Sequence, residues 1–126
     1  MRIIAAIVLG LALLAGCSSA PVQSIKGMFQ SKGDSQLKEG IRLYEDGKYP
    51  AATTQLQNAL QAGLTDSEQI TANKYLAFIS CVSSRERQCR AYFRRALELD
   101  PNFELSPAEA GHPMWGPVFR SVKTRK

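Results

Sequence analysis

The spacing of apolar residues divides the chain into three stretches. An uninterrupted apolar run extends from Ile3 to Leu14. It is as long as the core of a secretory signal and shorter than the roughly 20 residues that a spanning helix needs. Residues 18–35 are rich in Ser, Gly, Lys and Gln and show little period, which is typical of a flexible tether. From residue 36 onward, apolar residues recur at helical spacing.

We therefore predict a leader over 1–16, a tether over 17–35 and an all-α domain over 36–126. The domain contains four main helices, because turn and capping residues interrupt the helical pattern at regular points. These interruptions are a turn at Gly47-Lys48-Tyr49, a stop at Gly63, a capping box at Thr65-Asp66-Ser67-Glu68 and a break at Ser83-Ser84.

Part of the helical stretch repeats after 37 residues. Five pairs of residues with this separation agree in size or apolarity. The pairs are Gly40 and Ala77, Ala52 and Cys89, Leu56 and Phe93, Ala59 and Ala96, and Leu60 and Leu97. Small residues let two antiparallel helices approach closely while larger ones fill the space between units. The repeat therefore predicts two helical hairpins.

These hairpins resemble tetratricopeptide repeats. The matching residues are Gly40, Tyr49, Ala52, Leu56 and Ala59 in the first unit and Ala77, Cys89, Phe93, Ala96 and Pro101 in the second. The segment 94–101 is the closest match to the end of that repeat. The chain departs from the family in its period, which is about 34 residues there, and lacks the large aromatic residue early in each first helix.

The resemblance implies a concave surface, formed by the first helix of each hairpin, that binds another protein. On this basis we predict partner contacts at Arg42, Asn73 and Lys74, and at Trp115 near the end of the chain.

The C-terminal segment carries its own start and stop residues. Ser106-Pro107-Ala108-Glu109 predicts a single capped turn, and Gly116-Pro117 begins a second short helix that reaches about Lys123. We expect its apolar side chains to close the open end of the array, since unprotected repeat ends are costly. These are Phe103, Leu105, Trp115, Val118 and Phe119. In the alternative interpretation, Trp115 and His112 lie at an exposed groove and bind a partner.

The leader ends in a motif with defined chemistry. Leu14-Ala15-Gly16-Cys17 resembles the lipobox of bacterial lipoproteins. The resemblance implies cleavage before Cys17, a diacylglyceryl thioether on its sulfur, and acylation of the new amino group with a chain such as palmitate. Ser18 stands where lipoproteins kept in the inner membrane often carry Asp, which favours the outer membrane, facing the periplasm. The alternative is an ordinary secretory signal followed by an incidental cysteine.

Two further cysteines, Cys81 and Cys89, flank the turn of the second hairpin. Antiparallel helices would bring them together, and the periplasm is oxidising, so we predict a disulfide. The alternative is a pair of buried thiols that serve as small apolar residues.

The net charge of +5 falls to about +4 when Arg2 is removed with the leader. This mild excess suits an anionic membrane or an acidic partner but does not indicate nucleic acid. Five arginines cluster around the second hairpin and form either a solvated face or a contact for an acidic partner or anionic lipid. They are Arg85, Arg87, Arg90, Arg94 and Arg95.

No pattern in the sequence indicates catalysis. The chain has no Gly-rich phosphate loop, no spacing of metal ligands and no nucleophile beside a base. We predict that it is not an enzyme, takes no small-molecule substrate or metal, and carries no cofactor other than the covalent lipid on Cys17.

The lipobox, the two repeats and the segment from Glu109 to Phe119 together resemble small lipoproteins associated with type VI secretion systems. This resemblance implies an accessory role in assembling or anchoring a secretion machine, with its envelope subunits as partners. Two alternatives remain open. One is a pilotin that escorts a secretin, and the other is a structural lipoprotein that contacts peptidoglycan through its basic surface.

Overall fold

The computed structural model describes residues 30–125. The leader and the predicted lipidation site at Cys17 lie outside the described residues. The described part is all-helical, as predicted, and contains no strand. Its helices are α1 (Asp34–Glu45), α2 (Tyr49–Ala62), α3 (Asp66–Val82), α4 (Glu86–Leu99), α5 (Pro107–Ala110) and α6 (Gly116–Thr124). None of these helices has the length and apolarity needed to cross a bilayer.

The main helices end where the sequence predicts. The φ angle of +116° at Gly63 terminates α2, since a residue without Cβ adopts this conformation without a steric penalty. The break between α3 and α4 lies at Ser83 and Ser84, and Ser84 itself has a φ of +63°. The hydroxyl of Thr65 accepts a hydrogen bond from the backbone N–H of Glu68 and thereby caps α3.

The residues before α1 are attached to the α2–α3 junction. The carboxylate of Glu68 accepts a hydrogen bond from the Ser31 hydroxyl, so only half of the capping box predicted at α3 is confirmed. The backbone N–H of Gly33 donates to the carbonyl of Gly63 at 2.9 Å. Helix α1 begins at Asp34, two residues earlier than the helical pattern indicates. The end of the predicted tether therefore packs as part of the domain.

The two hairpins are α1 with α2 and α3 with α4, and α3 also packs against both helices of the first hairpin. Gly40 marks the closest approach inside the first hairpin. A Cβ at this position would lie 2.7 Å from Cγ of Leu56, so no side chain fits without movement. Of the ten repeat positions, all but Leu60 and Leu97 are buried. The 37-residue period therefore identifies a set of residues that pack in the interior of both hairpins.

Helix α6 covers the second hairpin by packing on α4. The ring of Phe119 lies 5.1 Å from that of Phe93 and 5.8 Å from that of Phe103. Ser106 and Glu109 form the predicted capping box at α5, with both reciprocal hydrogen bonds present. The C-terminal segment thus continues the core of the second hairpin.

Cys81 and Cys89 form the predicted disulfide between α3 and α4, with an S–S distance of 2.01 Å and their Cα atoms 5.2 Å apart. Both residues are buried, with exposed fractions of 5% and 0%. A cross-link that closes so short a loop contributes about 2–3 kcal/mol to the free energy of unfolding, chiefly by constraining the unfolded chain.

Candidate partner-binding face

Arg42 lies on the solvent side of α1, and its ion pairs within residues 30–125 are local. Its guanidinium contacts the Glu39 carboxylate at 2.6 Å and the carboxylate of Asp46, the residue that caps the helix, at 2.9 Å. The hydrogen bond from Arg42 lowers the pKa of the Glu39 carboxyl, desolvation opposes it, and the charge of Arg42 adds a smaller lowering effect. Exposed pairs of this kind contribute little stability. Arg42 therefore offers a partner a charge that is already paired.

Asn73 is buried, with an exposed fraction of 4%. Its side-chain N–H donates to the carbonyl of Gln69 at 2.8 Å, while its Oδ1 has no hydrogen-bond partner among the described residues. The expectation that Asn73 presents its side chain on the binding surface is therefore corrected. Asn73 and Lys74 are adjacent in sequence, but successive residues of a helix are rotated by about 100°. Their side chains therefore face different surroundings, and only that of Asn73 is fully buried.

Trp115 belongs to the core rather than to an exposed groove, because its exposed fraction is only 7%. Its ring stacks on Phe78, with centroids 4.0 Å apart, and its Nε1–H donates to the carbonyl of Glu109 at 2.7 Å. His112 stacks on the outer side of Trp115 at 3.5 Å and accepts a hydrogen bond from the Met114 N–H through Nδ1. These contacts agree with the capping interpretation and leave a partner little of Trp115 to touch.

Lys74 is the one predicted partner contact that lies in a cluster of polar and aromatic side chains contributed by different segments. Its Nζ lies 2.8 Å from Oε2 of Glu109, and the two side chains are 17% and 24% exposed. The ammonium also lies 4.7 Å from the centroid of the Tyr75 ring, a cation–π distance. Since Trp115 hydrogen-bonds the backbone of Glu109, this one residue connects Lys74 on α3 to the C-terminal segment.

Opposing influences act on the pKa of Glu109. Partial burial raises it, but hydrogen bonds from Lys74 and from the backbone N–H of Ser106, together with the Lys74 charge, lower it by more. The net effect is a depressed pKa, so Glu109 is ionised at neutral pH. The Lys74–Glu109 pair is therefore a fixed, partly desolvated dipole.

Three half-buried tyrosines lie beside this pair. The ring of Tyr44 is 5.7 Å from that of Tyr49 and 5.0 Å from that of Tyr75. Burial raises the pKa of Tyr44 to about 12, with smaller contributions from Tyr49, Tyr75 and Glu109. We call Tyr44, Tyr49, Lys74, Tyr75 and Glu109 the tyrosine face.

The tyrosine face combines apolar ring surface with hydroxyl groups. The hydroxyls of Tyr44, Tyr49 and Tyr75 make no hydrogen bond to the described residues, whereas that of Tyr92 accepts one from Gln57. Because its pKa is near 12, the Tyr44 hydroxyl stays protonated and can donate. A surface of this composition is suited to protein recognition, in which tyrosines supply apolar area together with a polar tip.

The sequence analysis did not identify Tyr44, Tyr49, Tyr75 or Glu109 as candidate partner contacts. Tyr44 and Tyr75 are 31 residues apart and do not obey the 37-residue repeat, so the period did not pair them. Residue type alone could have pointed to these tyrosines as surface contacts, because tyrosine is well suited to positions that are half buried. Among residues 30–125, no group of three His, Cys, Asp or Glu side chains is placed to hold a metal ion.

Comparison of the chain with protein-family models, with curated proteins and with solved structures finds no match. A functional assignment must therefore come from the residues of the chain itself.

Proposed function

We propose that this protein is a lipid-anchored, periplasmic protein-binding module that serves as an accessory subunit of an envelope secretion machine of the type VI kind. The lipobox at Leu14–Cys17 supplies the membrane anchor. The tyrosine face supplies the binding surface. The resemblance of the segment from Glu109 to Phe119 to type VI lipoproteins supports the choice of machine.

The observation that carries the binding role is the tyrosine face itself. Its partly exposed aromatic rings, whose hydroxyls make no hydrogen bond within residues 30–125, lie beside the fixed Lys74–Glu109 pair, and packing of the small helical domain does not require these hydroxyls. A binding role accounts for this arrangement, because rigid aromatic side chains at the centre of an interface contribute most of the binding free energy.

In this proposal the two hairpins form a tetratricopeptide-like array whose first helices, α1 and α3, line the concave side. Tyr44 lies on α1, and Lys74 and Tyr75 lie on α3, where such arrays bind their partners. The C-terminal segment extends this side through Glu109.

The anchor is tested by Cys17→Ser in the cells that make the protein. Loss of the protein from the membrane fraction is expected, because the acyl chains supply the anchoring energy at about 0.8 kcal/mol per buried methylene. A variant that still sediments with membranes would refute the lipid anchor.

The partner is tested by in-cell crosslinking of the affinity-tagged protein followed by mass spectrometry. Recovery of sheath, baseplate or membrane-complex subunits of a secretion machine is the expected result. Recovery of a secretin would replace this proposal with a pilotin. Recovery of no protein, together with sedimentation on isolated sacculi, would replace it with a peptidoglycan-contacting lipoprotein.

The tyrosine face is tested by the double substitution Tyr44→Phe with Tyr75→Phe, which removes two hydroxyls and keeps both rings. We expect partner recovery to fall roughly tenfold or more, since each lost interfacial hydrogen bond costs about 0.5–1.5 kcal/mol. Tyr92→Phe is the matched control, because its hydroxyl is already bonded to Gln57. Equal losses in both variants would exclude the tyrosine face.

A further inference from the structure

A groove that shares no residue with the tyrosine face lies between α4 and α6. It is a groove of about 570 Å³ with an apolar floor that includes Leu97 and Val122. Arg90, Arg94, Lys123 and Arg125 line its walls, against one carboxylate, Glu98. The groove therefore carries a net positive charge over an apolar base.

Its four cations fall into two pairs. Arg90 bridges the walls by donating to the Ser121 hydroxyl at 2.7 Å and contacting Glu86 at 2.6 Å. Lys123 is held by the carbonyl of Phe103 and the carboxylate of Glu104. The guanidinium groups of Arg94 and Arg125 form no ion pair within residues 30–125, and both side chains are exposed.

The positions of the arginines form a stripe along α4. Arg87, Arg90 and Arg94 are spaced at i, i+3 and i+7, which places them on one helical face over about 10 Å. Val122 and Lys123 lie in the last turn of α6, and Arg125 directly follows the end of that helix. The groove therefore has cations on both sides, Arg90 and Arg94 from α4 and Lys123 and Arg125 from the end of α6, with Leu97 and Val122 as its apolar lining.

We infer that this groove binds an acidic amphipathic helix of a partner protein. The apolar floor would receive the hydrophobic stripe of the helix, and the unpaired guanidinium groups of Arg94 and Arg125, one on each side of the groove, would pair with carboxylates on its flanks. Arginine suits this role because its planar guanidinium pairs with a carboxylate through two hydrogen bonds. The inference rests on the proposed function and adds the chemistry of the partner.

Shape favours a helix over a membrane. A bilayer presents an essentially flat array of headgroups, which would meet the rims of a groove but not a recessed floor. The buried Val122, with 9% exposure, lies at that floor. Only a convex, segment-like ligand contacts the floor together with the cations on both sides of the groove.

The test measures fluorescence anisotropy of a labelled amphipathic peptide of about 14 residues, or roughly four helical turns. Leucines form one face of the peptide and glutamates flank it, and a matched peptide carries glutamine for glutamate. The full chain in a neutral detergent is compared with Arg94→Glu/Arg125→Glu. The control is Lys32→Glu/Lys48→Glu, which changes the net charge equally at exposed lysines of the first half.

We expect the glutamate peptide to bind the unmodified chain and the lysine control alike. The arginine variant should bind about tenfold or more weakly, and added salt should weaken the unmodified complex. The glutamine peptide should also bind about tenfold more weakly. Absence of saturable binding, or equal affinity in both charge-reversed variants, would overturn the inference. Circular dichroism verifies that each variant is folded.

Competition with short-chain lipids separates a peptide site from a headgroup site. Displacement of the peptide by dioctanoyl phosphatidylglycerol, but not by dioctanoyl phosphatidylcholine, at concentrations below those of unlabelled peptide would show a lipid site and overturn the inference. The crosslinking experiment distinguishes the two proposals. If the arginine variant still recovers the machine subunits and the peptide does not bind, the groove proposal fails while the proposed function stands.

Discussion

The two helices of each hairpin pack together through different residues. In the first hairpin, Gly40 lets the backbone of α1 come into contact with Leu56 on α2. In the second, Ala77 and Phe93 take these positions, so the residue on the first helix carries a methyl group instead of a hydrogen. The second hairpin adds a disulfide and the covering helix α6, and within residues 30–125 neither has a counterpart in the first hairpin. A small array can thus be stabilised by close approach at one end and by cross-linking and covering at the other.

The two halves of the described chain, divided at the turn between α3 and α4, also differ in charge. Residues 30–82 contain five basic and six acidic side chains, and four of the five basic residues are lysines. Residues 83–125 contain eight basic and five acidic side chains, and seven of the eight are arginines. Arginine is the better residue for fixed, bidentate contacts with carboxylates. The second half is therefore the more suitable one for an acidic partner.

The largest expected effect distinguishes the cores of the two hairpins. Phe93→Ala should lower the free energy of unfolding by about 4 kcal/mol and Leu56→Ala by about 3 kcal/mol, because both side chains are fully buried. Only Phe93→Ala should also loosen α6, since Phe93 contacts Phe119. Urea unfolding followed by Trp115 fluorescence measures both effects. Unchanged native-state fluorescence in Phe93→Ala would contradict the coupling.

Removal of the disulfide makes the second hairpin resemble the first. Cys81→Ala/Cys89→Ala should lower the free energy of unfolding by about 2–3 kcal/mol, because the unfolded chain regains the freedom of the closed loop. Thermal unfolding with and without reductant checks this value. The unmodified chain should lose a similar amount in reductant and the double variant none. Insensitivity of the unmodified chain to reductant would argue against a bridge that stabilises the fold.

Gly40→Ala makes the first hairpin resemble the second at the matching position. Despite a gain of about 1 kcal/mol in helix propensity, we expect a net loss of about 1–2 kcal/mol, because the new Cβ would lie 2.7 Å from Leu56 Cγ. In the Gly40→Ala chain, Leu56→Ala should cost less than the roughly 3 kcal/mol expected in the unmodified chain, because the Cγ and Cδ2 atoms that meet the new Cβ are gone. Denaturant unfolding of the variants measures these losses, and a Gly40→Ala protein of increased stability would show that the helices separate freely.

The smallest effect concerns the junction between the halves. Glu109 has a lower pKa folded than unfolded, so it stabilises the fold above the ordinary carboxyl pKa of about 4.3. That contribution disappears as the pH falls through its depressed value. Glu109→Gln should therefore cost about 1 kcal/mol at neutral pH and less in acid. Glu104→Gln, at a mostly exposed carboxylate, is the control, and a pH-independent loss would contradict the ion pair.

Local chemistry made much of the fold predictable. The start of α5 follows from Ser106 and Glu109, whose side chains satisfy backbone groups three residues away. The end of α2 follows from Gly63, where a positive φ suits glycine. Gly40 and Leu56 were identifiable as repeat positions, since each has an equivalent 37 residues further on, but the period did not indicate that they contact each other. Each of these inferences uses interactions within a few residues or a period that a linear chain displays.

The candidate site depended on contacts that no period displays. Lys74 meets Glu109, 35 residues away, only because the C-terminal segment folds back over α3. The same return buries Trp115 on Phe78 and brings Glu109 close enough to Tyr44 to influence its pKa. The sequence by itself determined the helices, their ends, the cysteine pair and the motif at Cys17. Tertiary structure alone decided that Asn73 and Trp115 are buried and that Lys74 meets Glu109, because these contacts depend on distant segments packing together.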